Sequence, residues 1–242
     1  MKKVAVITGA STGIGKEMAL AFANAEYKVY LLARSKDKLD SVCKEVFAIG
    51  GDAVCLVTDL SLQSSVAAAI SHISSTEKHI DVLVNVAGIW HGPDGVYANI
   101  PFDQFQPEVI ADTYSVGLTA PSMLINGMLP RMTSGSSIVN ISGTFADGGK
   151  GWVPYYVSKR ALEDLTVALS QDISERGICV NCISPSDTAT ENYARYFPQY
   201  IADALEPSVI AQFAVDLCEK CNVTGKVFVM KKGHEPFEGF HV

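Results

Sequence analysis

The chain has 242 residues, of which 48% are hydrophobic and 19% charged, and its net charge is -7. That length and balance suit one α/β domain or two small ones with a full core, and exclude a disordered chain. The acidic balance, with no basic cluster, excludes nucleic acid as a main partner, and no apolar run reaches the roughly 18 residues of a membrane-spanning helix. Met1-Lys2-Lys3 runs straight into Val4-Ala5-Val6, which is too short and too strand-like for a leader peptide. A cytoplasmic location is therefore expected, with no membrane partner and with the six cysteines reduced.

Lys3 to Ile7 is an apolar, β-branched run and reads as a buried strand. Thr8-Gly9-Ala10-Ser11-Thr12-Gly13-Ile14-Gly15 follows, and Lys16 to Asn24 reads as a helix. Strand, glycine-rich turn and helix together aim backbone N–H groups and a helix N-terminus at a phosphate. Gly9 permits the tight turn, Gly13 the close approach of a ligand, and Gly15 the packing of helix on strand.

Lys28 to Ala33 is a second strand and Ser35 to Ala48 a helix. An acidic residue at this strand end would hold the ribose hydroxyls of NAD. Ala33-Arg34-Ser35 stands there instead. The arginine fork suits a 2′-phosphate, so NADP(H) is favoured and NAD(H) kept as possible. Ala53 to Thr58 is a third strand, followed by Asp59-Leu60 and a helix from about Ser61 to Lys78. Val82 to Asn85 is the fourth strand, followed by Val86-Ala87-Gly88. This alternation implies a doubly wound parallel sheet with helices on both faces and a ligand at the carboxyl strand ends. No linker or repeat divides the chain, so residues 1–242 form one domain.

Phe102 to Met132 reads as mostly helical, with Pro107 marking a start and Pro121 a kink. Ser137 to Ile141 is the fifth strand and Ile178 to Ile183 the sixth; Tyr155 to Arg176 lies between them as a helix, with Leu162, Leu165, Leu169 and Ile173 at helical spacing. Pro207 to Lys220 is a last helix and Lys226 to Met230 a last strand. With Pro154 in the first helical turn, Tyr155 and Lys159 stand four residues apart on one face. An ammonium near a phenol lowers its pKa from about 10 and fits it to give or take a proton. Two Cys-x-x-Cys pairs, Cys179/Cys182 and Cys218/Cys221, carry zinc-like spacing. Residues three apart on a strand face opposite ways, however, so Cys179 and Cys182 are read as core thiols and no metal site is expected.

The ordered set Thr8-Gly9-x-x-x-Gly13-x-Gly15, Asp59, Asn85-x-Ala87-Gly88, Ser142, Tyr155-x-x-x-Lys159 and Pro185-x-x-x-x-Thr190 resembles the short-chain dehydrogenases/reductases. The resemblance covers Val4 to about Val229. It implies a Rossmann-type seven-stranded parallel sheet. It also implies hydride transfer between NADP(H) and a carbonyl or secondary alcohol, and a homodimer or homotetramer built on the long helices. Tyr155 would be the general acid/base, Lys159 would tune it and hold the nicotinamide ribose, and Ser142 would polarise the substrate carbonyl. Gly9, Gly13 and Gly15 would hold the pyrophosphate, and Asp59 and Asn85 would flank the adenosine. Thr190 would meet the carboxamide or phosphate. Ser11, Ile14, Arg34, Leu60, Ala87, Gly88, Pro185 and Thr188 complete the implied cofactor contacts.

Three positions depart from the family pattern. Tyr114, three residues before Gly117, stands where an asparagine is usual, and Ser186 follows Pro185 where glycine is usual. Counting from Asn140, the family's catalytic serine falls on Gly143; counting back thirteen residues from Tyr155, it falls on Ser142. Ser142 is preferred, with Thr144 as the alternative hydroxyl. Tyr156, a competing phenol, is read as packing or pocket wall. The substrate is expected against Gly88 to Asp94, Thr144 to Val153 and a lid over residues 190–206, with Trp90, His91, Phe145 and Trp152 favouring an apolar or aromatic small molecule. Two other readings remain: a catalytically weak dinucleotide-binding regulator or scaffold, and an epimerase or dehydratase on the same fold.

Overall fold

The computed structural model describes residues 2–93 and 95–242; Asp94, the end of one expected substrate segment, lies outside the described residues. Among the described residues eight strands form one sheet: β1 (Val4–Thr8), β2 (Lys28–Ala33), β3 (Asp52–Val57), β4 (Val82–Asn85), β5 (Ser137–Ile141), β6 (Cys179–Pro185), β7 (Val227–Met230) and β8 (Phe237–Glu238). Their order is β3-β2-β1-β4-β5-β6-β7-β8. The first seven run parallel, as expected for the Rossmann-type fold. The eighth is a correction to the seven-stranded expectation. It has two residues, pairs antiparallel with β7, and is too short to leave a periodic signal in the sequence.

The alternation along β1 builds both layers. Ala5 and Ile7 point to one face, where they meet α1 (Gly13–Asn24), α2 (Lys36–Ala48) and α8 (Pro207–Lys220) through Met18, Phe22, Leu39 and Ile210. Val4 and Val6 point to the other face, toward α3 (Gln63–Thr76), α5 (Ala120–Met128) and the strand ends, through Ile73, Leu124 and Met128. The order reverses at β1, whose neighbours are β2 and β4. A crevice therefore opens beyond their carboxyl ends, where ligands of such sheets sit.

The 102–132 segment is less regular than its pattern suggests. α4 (Pro107–Tyr114) and α5 are joined by a widened π turn over Ser115–Thr119 rather than by a simple bend at Pro121. Pro121 has no N–H for the Gly117 carbonyl four residues back, so the ladder slips by one residue. Gly117 lies in that turn, and a Cβ there would sit 2.7 Å from Ser158 Cβ on α6 (Val153–Asp172). Pro154 does lie in the first turn of α6. α7 (Glu191–Tyr196) and a 3-10 turn over Pro198–Asp203 occupy most of the expected lid.

The expectation of six reduced cysteines is corrected. Cys43 on α2 is bonded to Cys55 on β3, and Cys179 at the start of β6 to Cys221 at the end of α8. Cys182 and Cys218 are free and buried. One disulfide thus joins the two Cys-x-x-Cys pairs, a pairing across 42 residues that spacing alone does not reveal. No helix among the described residues is long and apolar enough to cross a membrane.

Candidate active site

A cavity of about 1080 Å³ runs along the carboxyl ends of the strands. At one end it is walled by backbone. Gly9 and Gly13 adopt φ of +65° and +53°, which glycine reaches without strain. A Cβ on Gly9 would lie 3.1 Å from Ala87 Cα, and one on Gly15 only 2.2 Å from the Gly9 carbonyl oxygen. The turn therefore closes only with glycines. Among the described residues no side chain caps the start of α1, and its first turn holds no acid. The free N–H groups and the positive helix end face the cavity, a fit for a pyrophosphate. Ser11, Ile14, Leu60, Ala87, Gly88, Pro185, Thr188 and Thr190 all line the cavity, as does Arg34 at the far end. Lys38, in the first turn of α2, lines the same end. The sequence reading missed it; its place two residues into the helix after Arg34 was the available signal. These residues fit a nicotinamide dinucleotide.

Two of the expected cofactor residues do not line the cavity. Asn85 is buried, and its Nδ2 donates to Asn140 Oδ1 at 2.9 Å, which crosslinks β4 to β5. Asn140 in turn donates to Thr166 Oγ1 on α6. Asp59 Oδ1 accepts from the N–H and hydroxyl of Ser61, which shapes the turn after β3. Neither residue lines the cavity; their neighbours Thr58, Leu60 and Val86 do. A strand-end residue alternates between faces, so being at the right end does not make it point at the ligand.

Tyr155 and Lys159 stand together on the buried face of α6 beside Gly88, where a Cβ would meet Lys159 Nζ at 3.0 Å and Tyr155 Cε2 at 3.4 Å. The Lys159 ammonium donates to the Ile141 carbonyl oxygen at 2.7 Å and lies 5.6 Å from the Tyr155 ring centre. The expected lowering of the phenol pKa is corrected. Burial, and then the Asp187 carboxylate, raise the Tyr155 pKa above its usual value. Burial also pushes Lys159 down to about 8. The lysine is held to a main-chain oxygen and is itself desolvated, so it does not bring down the phenol.

Ser142 lines the same cavity. Its hydroxyl donates to Glu163 Oε1 on α6 at 2.7 Å, and the residue is 3% exposed. This bond ties the hydroxyl to α6, two turns along from Tyr155, at the wall of the cavity. Gly143 and Thr144 line the cavity after it. A Cβ at Gly143 would meet only Phe145 and the Pro185 oxygen, both at 3.9 Å. Ser186 is not among the positive-φ residues, so serine meets no backbone strain there.

At the other end the cavity is walled by rings. Trp90, His91, Phe145 and Trp152 all line it, joined by Tyr193 and Phe197 of the 190–206 segment. Phe197 lies 6.2 Å from Trp90 and 6.3 Å from Trp152, and Phe145 lies 5.9 Å from Tyr155. The two ends of the 190–206 segment are held by local bonds and by a bridge between its flanks. Thr190 Oγ1 accepts the Tyr193 N–H, and Thr188 pairs with Leu205. Asn192 Nδ2 lies 3.0 Å from His91 Nε2, while His91 Nδ1 lies 3.0 Å from the Gly92 oxygen. Both contacts are satisfied when Nδ1 carries the proton. Tyr156 points out of the cavity onto Phe145 and Arg160.

A model of the short chain dehydrogenase family matches residues 3–200. The chain belongs to this family. It is 32% identical over 192 residues to the acetoacetyl-CoA reductase of Acinetobacter sp. (strain RA3849), across 78% of this chain and 75% of that one. Among solved structures it is similar to a blue fluorescent protein from a metagenomic library in complex with NADPH. That likeness has a TM-score of 0.85 and 26% identity over 96% of this chain and 97% of the other. It is likewise similar to the 3-ketoacyl-(acyl-carrier-protein) reductase of Brucella melitensis complexed with NADH, at TM-score 0.82 and 25% identity over 96% and 97% of the two chains. The short-chain dehydrogenase family and the Rossmann-type sheet expected from the motifs are thus both found.

Proposed function

We propose that this short-chain dehydrogenase is an oxidoreductase acting between NADP(H) and a carbonyl or secondary alcohol, with Tyr155 as general acid/base. One observation carries the reading: Tyr155 and Lys159 meet at Gly88 inside the same cavity as the glycine turn and the α1 N-terminus. When bound, the nicotinamide supplies or accepts the hydride. The raised Tyr155 pKa keeps the phenol protonated at neutral pH, which suits it to protonate the oxygen of a reduced carbonyl. Lys159 places a polar, titratable ammonium beside that phenol. Ser142 and Thr144 both line the cavity; Ser142, its hydroxyl held by Glu163, is the group assigned to orient the substrate oxygen, with Thr144 as the alternative hydroxyl. Arg34 and Lys38 at the adenosine end support NADP(H) over NAD(H). The ring-lined end supports an apolar or aromatic substrate.

A second reading, a dinucleotide-binding protein of weak turnover, is favoured by the bond that spends the Ser142 proton on Glu163 and by the absence of a side chain at Gly143. The two separate in one experiment, a panel of ketones, aldehydes and alcohols assayed with NADPH and NADP⁺. Turnover that falls about 100- to 10,000-fold in Tyr155→Phe, with the NADPH dissociation constant unchanged, supports the first reading. Tight NADPH binding without turnover on any compound supports the second.

A further inference from the structure

The residue after the catalytic-site lysine is also buried, and the proposed reaction does not use it. Arg160 is 7% exposed, and its guanidinium carbon lies 5.1 Å from the ring centres of both Phe145 and Tyr156. Its Nη1 donates to both Glu163 oxygens, at 3.2 and 3.3 Å, and its Nη2 to the Val242 main-chain oxygen at 2.8 Å. The same Val242 oxygen accepts the Phe145 N–H at 3.1 Å. Glu163 is fully buried and accepts two further bonds at 2.7 Å, from the Ser142 hydroxyl and from the His241 N–H. One buried ion pair therefore joins α6, the end of β5, the loop carrying Phe145, and the segment that leaves β8.

Desolvating such a pair is costly, and here Arg160 Nε stays buried without a partner, so the bonds of Nη1 and Nη2 must offset that cost. An apolar pair would serve a core better, so the geometry points to a positioning task. Arg160 does not line the cavity, whereas Phe145 does, with its ring against Tyr155. We propose that Arg160 and Glu163 are positioning residues that clamp the 239–242 segment and Phe145 together. The clamp makes Phe145 a fixed wall of the substrate end of the cavity, and so sets which ring-bearing carbonyls fit. The role as a substrate wall rests on the reaction proposed above; the clamp itself does not.

The test has two readouts on the full chain. In the first, amide hydrogen exchange is followed in the wild type, Arg160→Met and Arg160→Lys; lysine keeps the charge but cannot bridge Glu163 and Val242 at once. Exchange over residues 144–149 and 239–242 should quicken about tenfold in Arg160→Met and by less in Arg160→Lys, with β1 and α1 unchanged. Unchanged exchange in both segments overturns the clamp. In the second, isatin, a flat aromatic ketone, is titrated by calorimetry into NADP⁺-saturated protein, which holds no hydride to transfer. The proteins are the wild type, Arg160→Met, Phe145→Ala and the double variant. The isatin dissociation constant should rise about tenfold in Arg160→Met, and little further when Phe145 is already alanine. Additive effects, or no change in Arg160→Met, overturn the wall role. Wild-type protein that binds neither NADP⁺ nor isatin sinks the proposed reaction, and the exchange result then decides the clamp alone.

Discussion

The two ends of the cavity are built by different means. The phosphate end is backbone: three glycines, a helix N-terminus and the strand ends on either side, all within the first 88 residues. Its shape follows from contacts such as the 2.2 Å that a Gly15 Cβ would leave to the Gly9 oxygen. The substrate end is side chain: Trp90, Phe145, Trp152 and Phe197 come from three separate segments and are held by ring contacts and by hydrogen bonds distant in sequence. Backbone walls tolerate no substitution and leave little to vary. Side-chain walls can be exchanged one at a time, so specificity can change there while the cofactor end stays the same.

Substitutions at each end sharpen this contrast. After the loss expected of Tyr155→Phe, the largest effect should come from Gly15→Ala. Its Cβ meets main chain that cannot yield, so overpacking of about 1–3 kcal/mol is expected, with a lower thermal midpoint and weakened NADPH binding by fluorescence titration. Equal stability and affinity would mean that the turn is softer than its contacts imply. Arg34→Glu should come next, weakening NADPH about tenfold while leaving NADH within about twofold. Equal weakening of both cofactors in parallel titrations would detach Arg34 from the 2′-phosphate.

At the substrate end, Gly143→Ser should raise activity. The site has room for a Cβ, with its nearest neighbours at 3.9 Å, and the new hydroxyl would face the reacting oxygen. A gain of about fivefold in kcat on any carbonyl that the wild type reduces is expected, and a loss would show that Ser142 or Thr144 already fills that place. The smallest effect is on stability. Lys159 titrates near 8 in the folded protein and near 10.5 when unfolded, so between those values the unfolded chain binds more protons. Its contribution to stability therefore rises with pH across that window and is flat below it. Denaturant titrations at stepped pH should show this rise in the wild type and a flatter profile in Lys159→Met.

How much of this was legible in the sequence differs between the ends in the same way. Strands β2, β4 and β5, the glycine turn and the Tyr155/Lys159 pair were readable, because each depends on residues within one or two turns of one another. Ser142 and Asn85 lie at the expected strand ends, yet their side chains bond Glu163 and Asn140. The cysteine pairing, the π turn before Pro121, the eighth strand and the Arg160 ion pair were not readable, since each depends on segments that only folding brings together.

The sequence by itself determined the layered sheet, the place of its crevice and the residues around a phosphate, because local periodicity and glycine stereochemistry act over a few residues. Only the tertiary structure decided what the Ser142 hydroxyl bonds, which thiols pair, and what stands behind Phe145. Those outcomes turn on side-chain direction at contacts between distant segments, where a rotation about one strand residue exchanges the core for the site.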